Sequence, residues 1–132
     1  IDMLGGQFSL YFGNMPSVIG YARQGKLNAI ATTGAKRSPA TMDIPTVAES
    51  GVPGYEVTTW YGSSAPAKTP RAIVDRLNSE FLRALKSADL QARFKDLGAD
   101  PIGNTPEQAT AYVQNEINKW AKVIKASGAK VD

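Results

Sequence analysis

The residues most able to do chemistry lie in one short stretch, WYGSSAPAKTP, between Trp60 and Pro70. Ser63 and Ser64 follow a glycine, and Lys68 could serve as the base of a Ser–Lys pair. The spacing does not match the G-x-S-x-G nucleophile motif, because Pro66 stands in place of its last glycine. The chain has no histidine, the commonest general base, and no cysteine. A hydrolase that uses Ser64 and Lys68 therefore stays an alternative, and closely packed small residues at a strand end are the favoured interpretation.

Backbone groups at predicted helix starts offer a second kind of chemistry, the binding of an anion. Thr69-Pro70 and Gly13-Asn14 each stand just before a predicted helix, where free backbone N–H groups suit a carboxylate or a phosphate. Every helix start has this property, and the sequence contains neither a P-loop nor a G-x-G-x-x-G pattern. The acidic residues are not spaced as in a calcium loop. We therefore expect no metal site and no cofactor.

Composition narrows the classes of protein further. The chain has 132 residues, of which 42% are hydrophobic, and this suits one domain with a core. Its 15 basic and 12 acidic residues give a net charge of +3. The basic residues are scattered along the sequence, whereas a nucleic-acid interface needs a cluster, so no nucleic-acid partner is expected. No stretch approaches the roughly 18 apolar residues of a membrane span.

Local patterns predict the elements that position these residues. Alternating apolar and polar residues indicate strands, and a proline or a capping residue before an apolar stripe indicates a helix. Residues 34–55 are rich in proline and glycine and are predicted to form an ordered loop. The other predicted elements are a strand containing Phe8, Leu10 and Phe12, a helix from Met15 to Arg23, strands from Leu27 to Thr32 and from Glu56 to Ser64, helices that begin at Pro70, after Ser87 and at Pro106, and a short strand near Ile102.

Apolar stripes on the predicted helices indicate the core. A helix with an apolar residue at every turn buries one of its faces. The capping box of Thr105 and Gln108 marks the start of the last helix, and Gly98 and Gly128 mark helix ends. The order of strands and helices predicts an α/β fold with a mostly parallel sheet. The stripes are Ile73, Leu77, Phe81 and Leu85 in one helix and Val113, Ile117, Trp120 and Ile124 in another.

Longer stretches of the sequence resemble a known family. The segments DMLGGQ, GKLNAIAT, RSPATMDIPTVAESG and WYGSSAPAKTP resemble, in order and content, the Bug family of periplasmic substrate-binding proteins of tripartite tricarboxylate transporters. Four positions depart from the family pattern: Lys68 replaces a usual glycine, Asn28 replaces a basic residue, and Ser63 and Ser64 replace bulkier residues. The matching residues are Asp2, Gly5, Gly6, Gln7, Gly25, Lys26, Leu27, Ala29, Ala31, Arg37, Ser38, Pro39, Asp43, Pro45, Thr46, Glu49, Gly51, Trp60, Gly62, Ala65, Pro66, Ala67, Thr69 and Pro70.

The resemblance implies a fold, a location and a function. The fold would be periplasmic-binding-protein-like α/β, and the chain would be the C-terminal part of a two-lobe protein. Residues 1–34 would form the end of lobe two and a strand that crosses between the lobes, and residues 35–132 the C-terminal part of lobe one. The function would be capture of a small carboxylate or amino-acid-like ligand in the bacterial periplasm, for membrane transporter subunits, without enzymatic activity.

The predicted ligand-binding residues come from the ends of two strands. In open α/β sheets, ligands bind beyond the carboxyl ends of the strands. We therefore expect Phe12, Gly13 and Asn14 to face a cleft, with Trp60 or Tyr61 opposite them. A lobe that senses the ligand and signals to a membrane partner stays open as an alternative to transport. We also expect the chain to self-associate when produced alone, since open sheet edges recruit other strands.

Overall fold

The computed structural model describes residues 2–130, and its regular elements are helices. The predicted helices are confirmed, with boundaries that differ from the prediction by one residue at most. Pro16 lies in the first turn of the first helix, as expected, and Pro70 directly precedes the second. The helices are α1 (Met15–Arg23), α2 (Arg71–Leu85), α3 (Ala88–Leu97) and α4 (Pro106–Ser127).

Local capping interactions fix the ends of α3 and α4. The Thr105 hydroxyl accepts a hydrogen bond from the Gln108 backbone N–H at 3.2 Å, and the Gln108 side-chain oxygen accepts from the Thr105 N–H at 2.9 Å. These two bonds form the predicted capping box of α4. Gly98 and Gly128 end α3 and α4 with φ angles of 65° and 67°, the left-handed conformation that glycine adopts without steric cost.

The predicted strands are wrong for the part of the chain that the structure describes. Neither the segment around Phe8, Leu10 and Phe12, nor residues 27–32, 56–64 or 101–102, forms a strand, so a mostly parallel sheet is not seen. The physical reason is that a strand exists only through hydrogen bonds to a neighbouring strand. A period-2 sequence pattern predicts an extended segment but cannot supply its partner.

One isolated parallel bridge shows where pairing begins. Thr32 and Thr46 form it, with the Thr32 N–H donating to the Pro45 carbonyl at 2.8 Å and the Val47 N–H donating to the Thr32 carbonyl at 2.9 Å. The Val57 N–H also donates to the Thr33 carbonyl at 2.8 Å. The end of one predicted strand and the start of another therefore lie beside each other.

A set of hydrogen bonds around Glu49 orders the proline-rich loop. The carboxylate of Glu49 accepts from the Thr46 backbone N–H at 2.8 Å and from the Arg37 Nε at 2.9 Å. The Thr46 hydroxyl accepts from the Glu49 N–H at 3.1 Å, and Arg37 also donates to the Met42 carbonyl at 3.0 Å. Thr46 is only 1% exposed. These contacts, which we call the loop brace, confirm that the segment is an ordered loop.

The loop brace should make stability depend on acidity. The Thr46 N–H and then the Arg37 guanidinium hold the pKa of Glu49 below its usual range. A carboxylate whose pKa is lower in the folded state stabilises that state above its ordinary pKa, and this contribution is lost as the pH falls through the folded value. We therefore expect Glu49→Gln to destabilise the chain near pH 7 and to reduce the loss of stability between about pH 7 and about pH 3.

Urea unfolding at the two pH values measures this effect. Asp43→Asn is the matched control, because it removes another exposed carboxylate of the same loop and should retain the acid dependence of the wild-type chain. If Glu49→Gln and the wild-type chain lost equal stability on acidification, the loop brace would not be the source of that dependence.

The chain divides into two compact units, and each has its own helix pair. The first unit comprises residues up to Tyr61 and from Lys86 to Pro101, and the second comprises Gly62–Leu85 and residues from Ile102 onward. In the first unit, α1 packs against α3, with Ile19 buried between them and Arg23 donating to the Asp96 carbonyl at 3.0 Å. The predicted boundary between residues 34 and 35 concerns lobes of a longer fold and stays a prediction.

In the second unit, α2 packs against α4. Arg71 pairs with Asp75 at 2.7 Å and with Glu107 at 2.6 Å, which links the first turns of the two helices. These groups are exposed, so each pair contributes little to stability. Gly103 approaches the Leu82 side chain, so the connection into α4 lies close to α2.

The apolar stripes of α2 and α4 were expected to be buried. In the described part of the chain they are not, so this expectation was wrong. Ile73, Leu77 and Phe81 remain 51, 45 and 50% exposed. Trp120 is half-buried, and its Nε1 donates to the Glu116 carboxylate at 3.0 Å. Two helices can cover only the sides that face each other, so a stripe that faces elsewhere needs a further layer.

Candidate functional site

A hydrogen-bond network in the first unit joins two of the predicted site residues. The Asn14 Nδ2 donates to the Tyr61 hydroxyl oxygen at 3.3 Å, and the Thr59 hydroxyl donates to the Asn14 Oδ1 at 2.9 Å. These residues are 47 and 45 positions apart in sequence. The structure thus brings the end of one predicted strand beside another predicted strand. We call Asn14, Thr59 and Tyr61 the amide network.

The start of α1 leaves the Asn14 side chain available for this network. Asn14 is the N-cap residue of α1, with an extended backbone, but its side chain does not cap the helix. Its carbonyl instead accepts from the Ser17 N–H at 2.9 Å and from the Ser17 hydroxyl at 2.8 Å. Because α1 does not use the Asn14 amide, that amide can take part in binding without disturbing the helix.

Gly13 allows close packing immediately before Asn14. A Cβ atom at Gly13 would lie 2.5 Å from Tyr11 Cε1 and 2.6 Å from Val18 Cγ1, closer than such atoms can approach. A larger residue at this position would therefore displace Tyr11 or Val18. Gly13 is thus a packing residue that sets the path of the chain into Asn14.

The aromatic residues of the predicted site are open to solvent. Phe12 is 71% and Tyr61 is 79% exposed, and Trp60 is less so. Tyr61, one of the two aromatic residues expected opposite residues 12–14, is hydrogen-bonded to Asn14. That Trp60 or Tyr61 faces a ligand stays a prediction. The site therefore offers an amide, two hydroxyl groups and exposed aromatic surface.

Sequence reasoning missed Thr59. Thr59 and Tyr61 are two residues apart, and in an extended segment such residues point to the same side. The choice of Tyr61 as a site residue could therefore have suggested Thr59 as well. A threonine in a strand pattern is so common that this signal alone is weak.

The serine–lysine alternative receives no support from the described geometry. Within residues 2–130, neither Ser63 nor Ser64 is hydrogen-bonded to Lys68.

No group of three or more metal-ligating side chains occurs in that part of the chain. None of its helices is both long enough and apolar enough to span a bilayer.

Two surface pockets in the first unit do not include the residues of the amide network. One, of about 340 Å³, is lined by residues of α3 and of the proline-rich loop, including Lys95 and Asp100. The other, of about 300 Å³, lies beside α1 and includes Tyr11 and Val18. Neither is lined by Asn14, Thr59 or Tyr61, so the amide network stands on an open surface. A ligand bound there would need further residues to cover its other side.

Solved structures similar to this chain are binding proteins. The chain superposes with a TM-score of 0.89 and 36% identity on a Rhodopseudomonas palustris protein, Rpa4515, solved with adipate, covering 96% of this chain and 42% of that one. The periplasmic binding protein BugD gives the same TM-score and identity over 98% of this chain and 44% of its own. The similarity to MatC from Rhodopseudomonas palustris, solved with bound malate, has a TM-score of 0.80 at 34% identity, over 93% and 43% of the two chains.

Sequence comparison agrees with the structural comparison. The chain is 35% identical over 131 residues to protein BugT of Bordetella pertussis, and the match covers 99% of this chain. It spans 40% of the length of that relative and 37% of a Pseudomonas relative at 33% identity. A family model described as the tripartite tricarboxylate transporter family receptor matches residues 1–129. The fold is therefore that of periplasmic binding proteins, and the chain belongs to the family of tripartite tricarboxylate transporter receptors, as its resemblance to Bug proteins predicted.

Proposed function

We propose that the protein containing this chain is a periplasmic receptor that captures a small carboxylate and delivers it to a membrane transporter. Two similar solved proteins were determined with dicarboxylates, adipate and malate. Capture of this kind needs hydrogen-bond donors and a site whose shape is complementary to the ligand. It needs no nucleophile and no metal. The receptor is thus proposed to bind its ligand without changing it.

The observation that carries the proposal is the amide network at the start of α1. Its groups are an amide and two hydroxyls, which bind through hydrogen bonds and not through a formal charge. Neutral donors can hold a carboxylate without a fixed charge partner, so the ligand can also leave. Phe12, Gly13, Asn14, Trp60 and Tyr61 are the proposed ligand-binding residues.

The helix adds to this environment. The N-terminus of an α-helix carries a partial positive charge, which favours a nearby anion by several tenths of a kcal/mol, roughly 0.3 to 1. Asn14 stands at the N-terminus of α1, and no acidic residue lies in the first turn of that helix. A carboxylate near Asn14 would therefore meet donors and a favourable field.

Calorimetric titration of the whole receptor with adipate and with malate tests the proposal. We expect at least one of these dicarboxylates to bind the wild-type protein. Asn14→Ala should weaken that binding by about 1 kcal/mol, the scale of one lost hydrogen bond. Because the Asn14 side chain does not cap α1, the variant should fold normally.

Asn115→Ala is the matched control, since Asn115 is an exposed asparagine in the middle of α4 and should leave affinity unchanged. Binding of neither dicarboxylate would count against the proposed function. Binding that Asn14→Ala leaves unaltered would exclude Asn14 from the site while the function stood.

A further inference from the structure

The pocket beside α1 combines three aromatic side chains with one carboxylate. It has a volume of about 300 Å³, and its lining includes Phe8, Tyr11 and Tyr21 together with Asp2. The three aromatic residues are 39 to 52% exposed, so a ligand can reach them from solvent. We call Asp2, Phe8, Tyr11 and Tyr21 the aromatic pocket.

Three different parts of the first unit bring these residues together. The Gln7 N–H donates to the Asp2 carbonyl at 3.1 Å, which closes a turn between Asp2 and the segment that contains Phe8. The ring centroids of Phe8 and Tyr11 are 6.4 Å apart, with an angle of 44° between the ring planes. Tyr21 belongs to α1. The wall of the aromatic pocket thus comes from a turn, the segment before α1, and α1 itself.

The aromatic pocket contains an unpaired negative charge. Asp2 is the charged residue among those that line it. Within residues 2–130 the Asp2 carboxylate has no ion-pair partner. Ser17, another polar lining residue, already donates its hydroxyl proton to the Asn14 carbonyl at 2.8 Å. The charge of Asp2 repels an anion and attracts a cation, and the attraction is stronger beside apolar surface than in open water.

The composition of the lining favours one kind of cation. A calcium ion takes about six to eight oxygen ligands, whereas the described residues contain no group of three or more metal-ligating side chains. Aromatic rings attract a cation through the negative potential of their faces, and this interaction suits quaternary ammonium groups in particular. Three rings and one carboxylate therefore match a large organic cation better than a metal ion.

We propose that the aromatic pocket binds a small quaternary ammonium compound, with Asp2 as its counter-charge and Phe8, Tyr11 and Tyr21 as its aromatic contacts. This site would be additional to the proposed carboxylate site, because its lining includes none of the residues of the amide network. It does not depend on the capture of a carboxylate. The volume of about 300 Å³ is at the lower end of the range for ligand sites, which suits a compound of a few heavy atoms.

Calorimetric titration of the whole receptor with choline chloride tests the proposal. The control ligand is the neutral analogue of choline in which a carbon atom replaces the nitrogen, since it has the same shape and no charge. We expect choline to bind, and the neutral analogue to bind roughly tenfold more weakly or not at all. Added NaCl should weaken choline binding, because salt screens the attraction to Asp2.

Matched variants assign the binding to these residues. Tyr21→Leu keeps an apolar side chain but removes the ring, and it should weaken choline binding roughly three- to tenfold, whereas Tyr21→Phe keeps the ring and should retain the affinity. Asp2→Asn should weaken binding roughly two- to fivefold and reduce its dependence on NaCl. Asp43→Asn removes an exposed carboxylate of the proline-rich loop and should change neither. Because Asp2 is exposed, Asp2→Asn should leave the fold intact.

Several results would overturn the proposal. One is a whole receptor that does not bind choline, as would follow if another part of the receptor covers these rings. A second is equal affinity for choline and its neutral analogue, which would exclude recognition of the charge. The third is choline binding that neither Asp2→Asn nor Tyr21→Leu weakens, which would place the cation elsewhere on the receptor.

Discussion

Replacing Gly98 by alanine should lower the free energy of unfolding of the chain by roughly 2 to 4 kcal/mol. The change has two costs. The residue has a φ angle of 65°, which is unfavourable for any side chain with a Cβ atom. That Cβ would also lie 2.5 Å from Met15 Cγ and 3.2 Å from Ile19 Cδ1, so these side chains of α1 would have to shift where α1 packs on α3.

Gly128→Ala separates these two costs. Gly128 ends α4 with a φ angle of 67°, but nothing lies within 4 Å of the position a Cβ would occupy. Its replacement should therefore cost only the conformational part, about 1 to 2 kcal/mol. Urea unfolding followed by circular dichroism measures both variants. Equal losses at the two positions would mean that Gly98 contributes nothing to the packing of α1 on α3.

The 132-residue chain produced alone should form dimers or larger assemblies. The α2 face made by Ile73, Leu77 and Phe81 is about half exposed, although its spacing is that of a buried face. Contiguous apolar surface of this kind drives association in water. Light scattering coupled to size-exclusion chromatography should therefore give a mass above that of one chain, 14.1 kDa.

A charge placed on this face should shift the chain towards the monomer. Phe81→Glu puts a carboxylate on the apolar surface, whereas Ser79→Glu adds the same charge at an exposed position off that stripe. We expect only Phe81→Glu to reduce the measured mass. A monomeric wild-type chain, or equal effects of the two changes, would contradict the role given to α2.

The helices could be predicted closely because their signals are local. Pro16 marks α1, the Thr105 capping box marks α4, and Gly98 and Gly128 end helices through their own backbone conformation. Each signal lies within a few residues of the boundary that it sets. The strands failed because pairing is not local: a segment such as residues 56–64 becomes a strand only when another segment meets it.

The burial of the apolar residues was predicted less well than the helices to which they belong. The stripe through Val113, Ile117 and Ile124 has the right period, yet these residues are exposed. Periodicity shows that a helix has an apolar face, but it does not show that a second layer covers the face. The chain spans 40% of its relative BugT, and in the described residues α4 packs on α2 alone.

The candidate site was predicted in part. Gly13-Asn14 was singled out as the end of a strand and Tyr61 as an aromatic opposite it, and the structure places Asn14 against Tyr61. Whether these residues bind the ligand stays a prediction. Thr59 was missed, because its spacing from Tyr61 is only a weak signal and its contact with Asn14 spans 45 residues. No local pattern encodes such a contact.

The loop brace has a consequence for the order in which the chain folds. Arg37 and Glu49 are 12 residues apart, whereas Arg23 and Asp96, which join α1 to α3, are 73 apart. Closing the shorter loop costs less chain entropy, by roughly 1.6 kcal/mol. The segment richest in proline and glycine can therefore form its native contacts before α1 meets α3, and it would serve as an early nucleus rather than a passive connection.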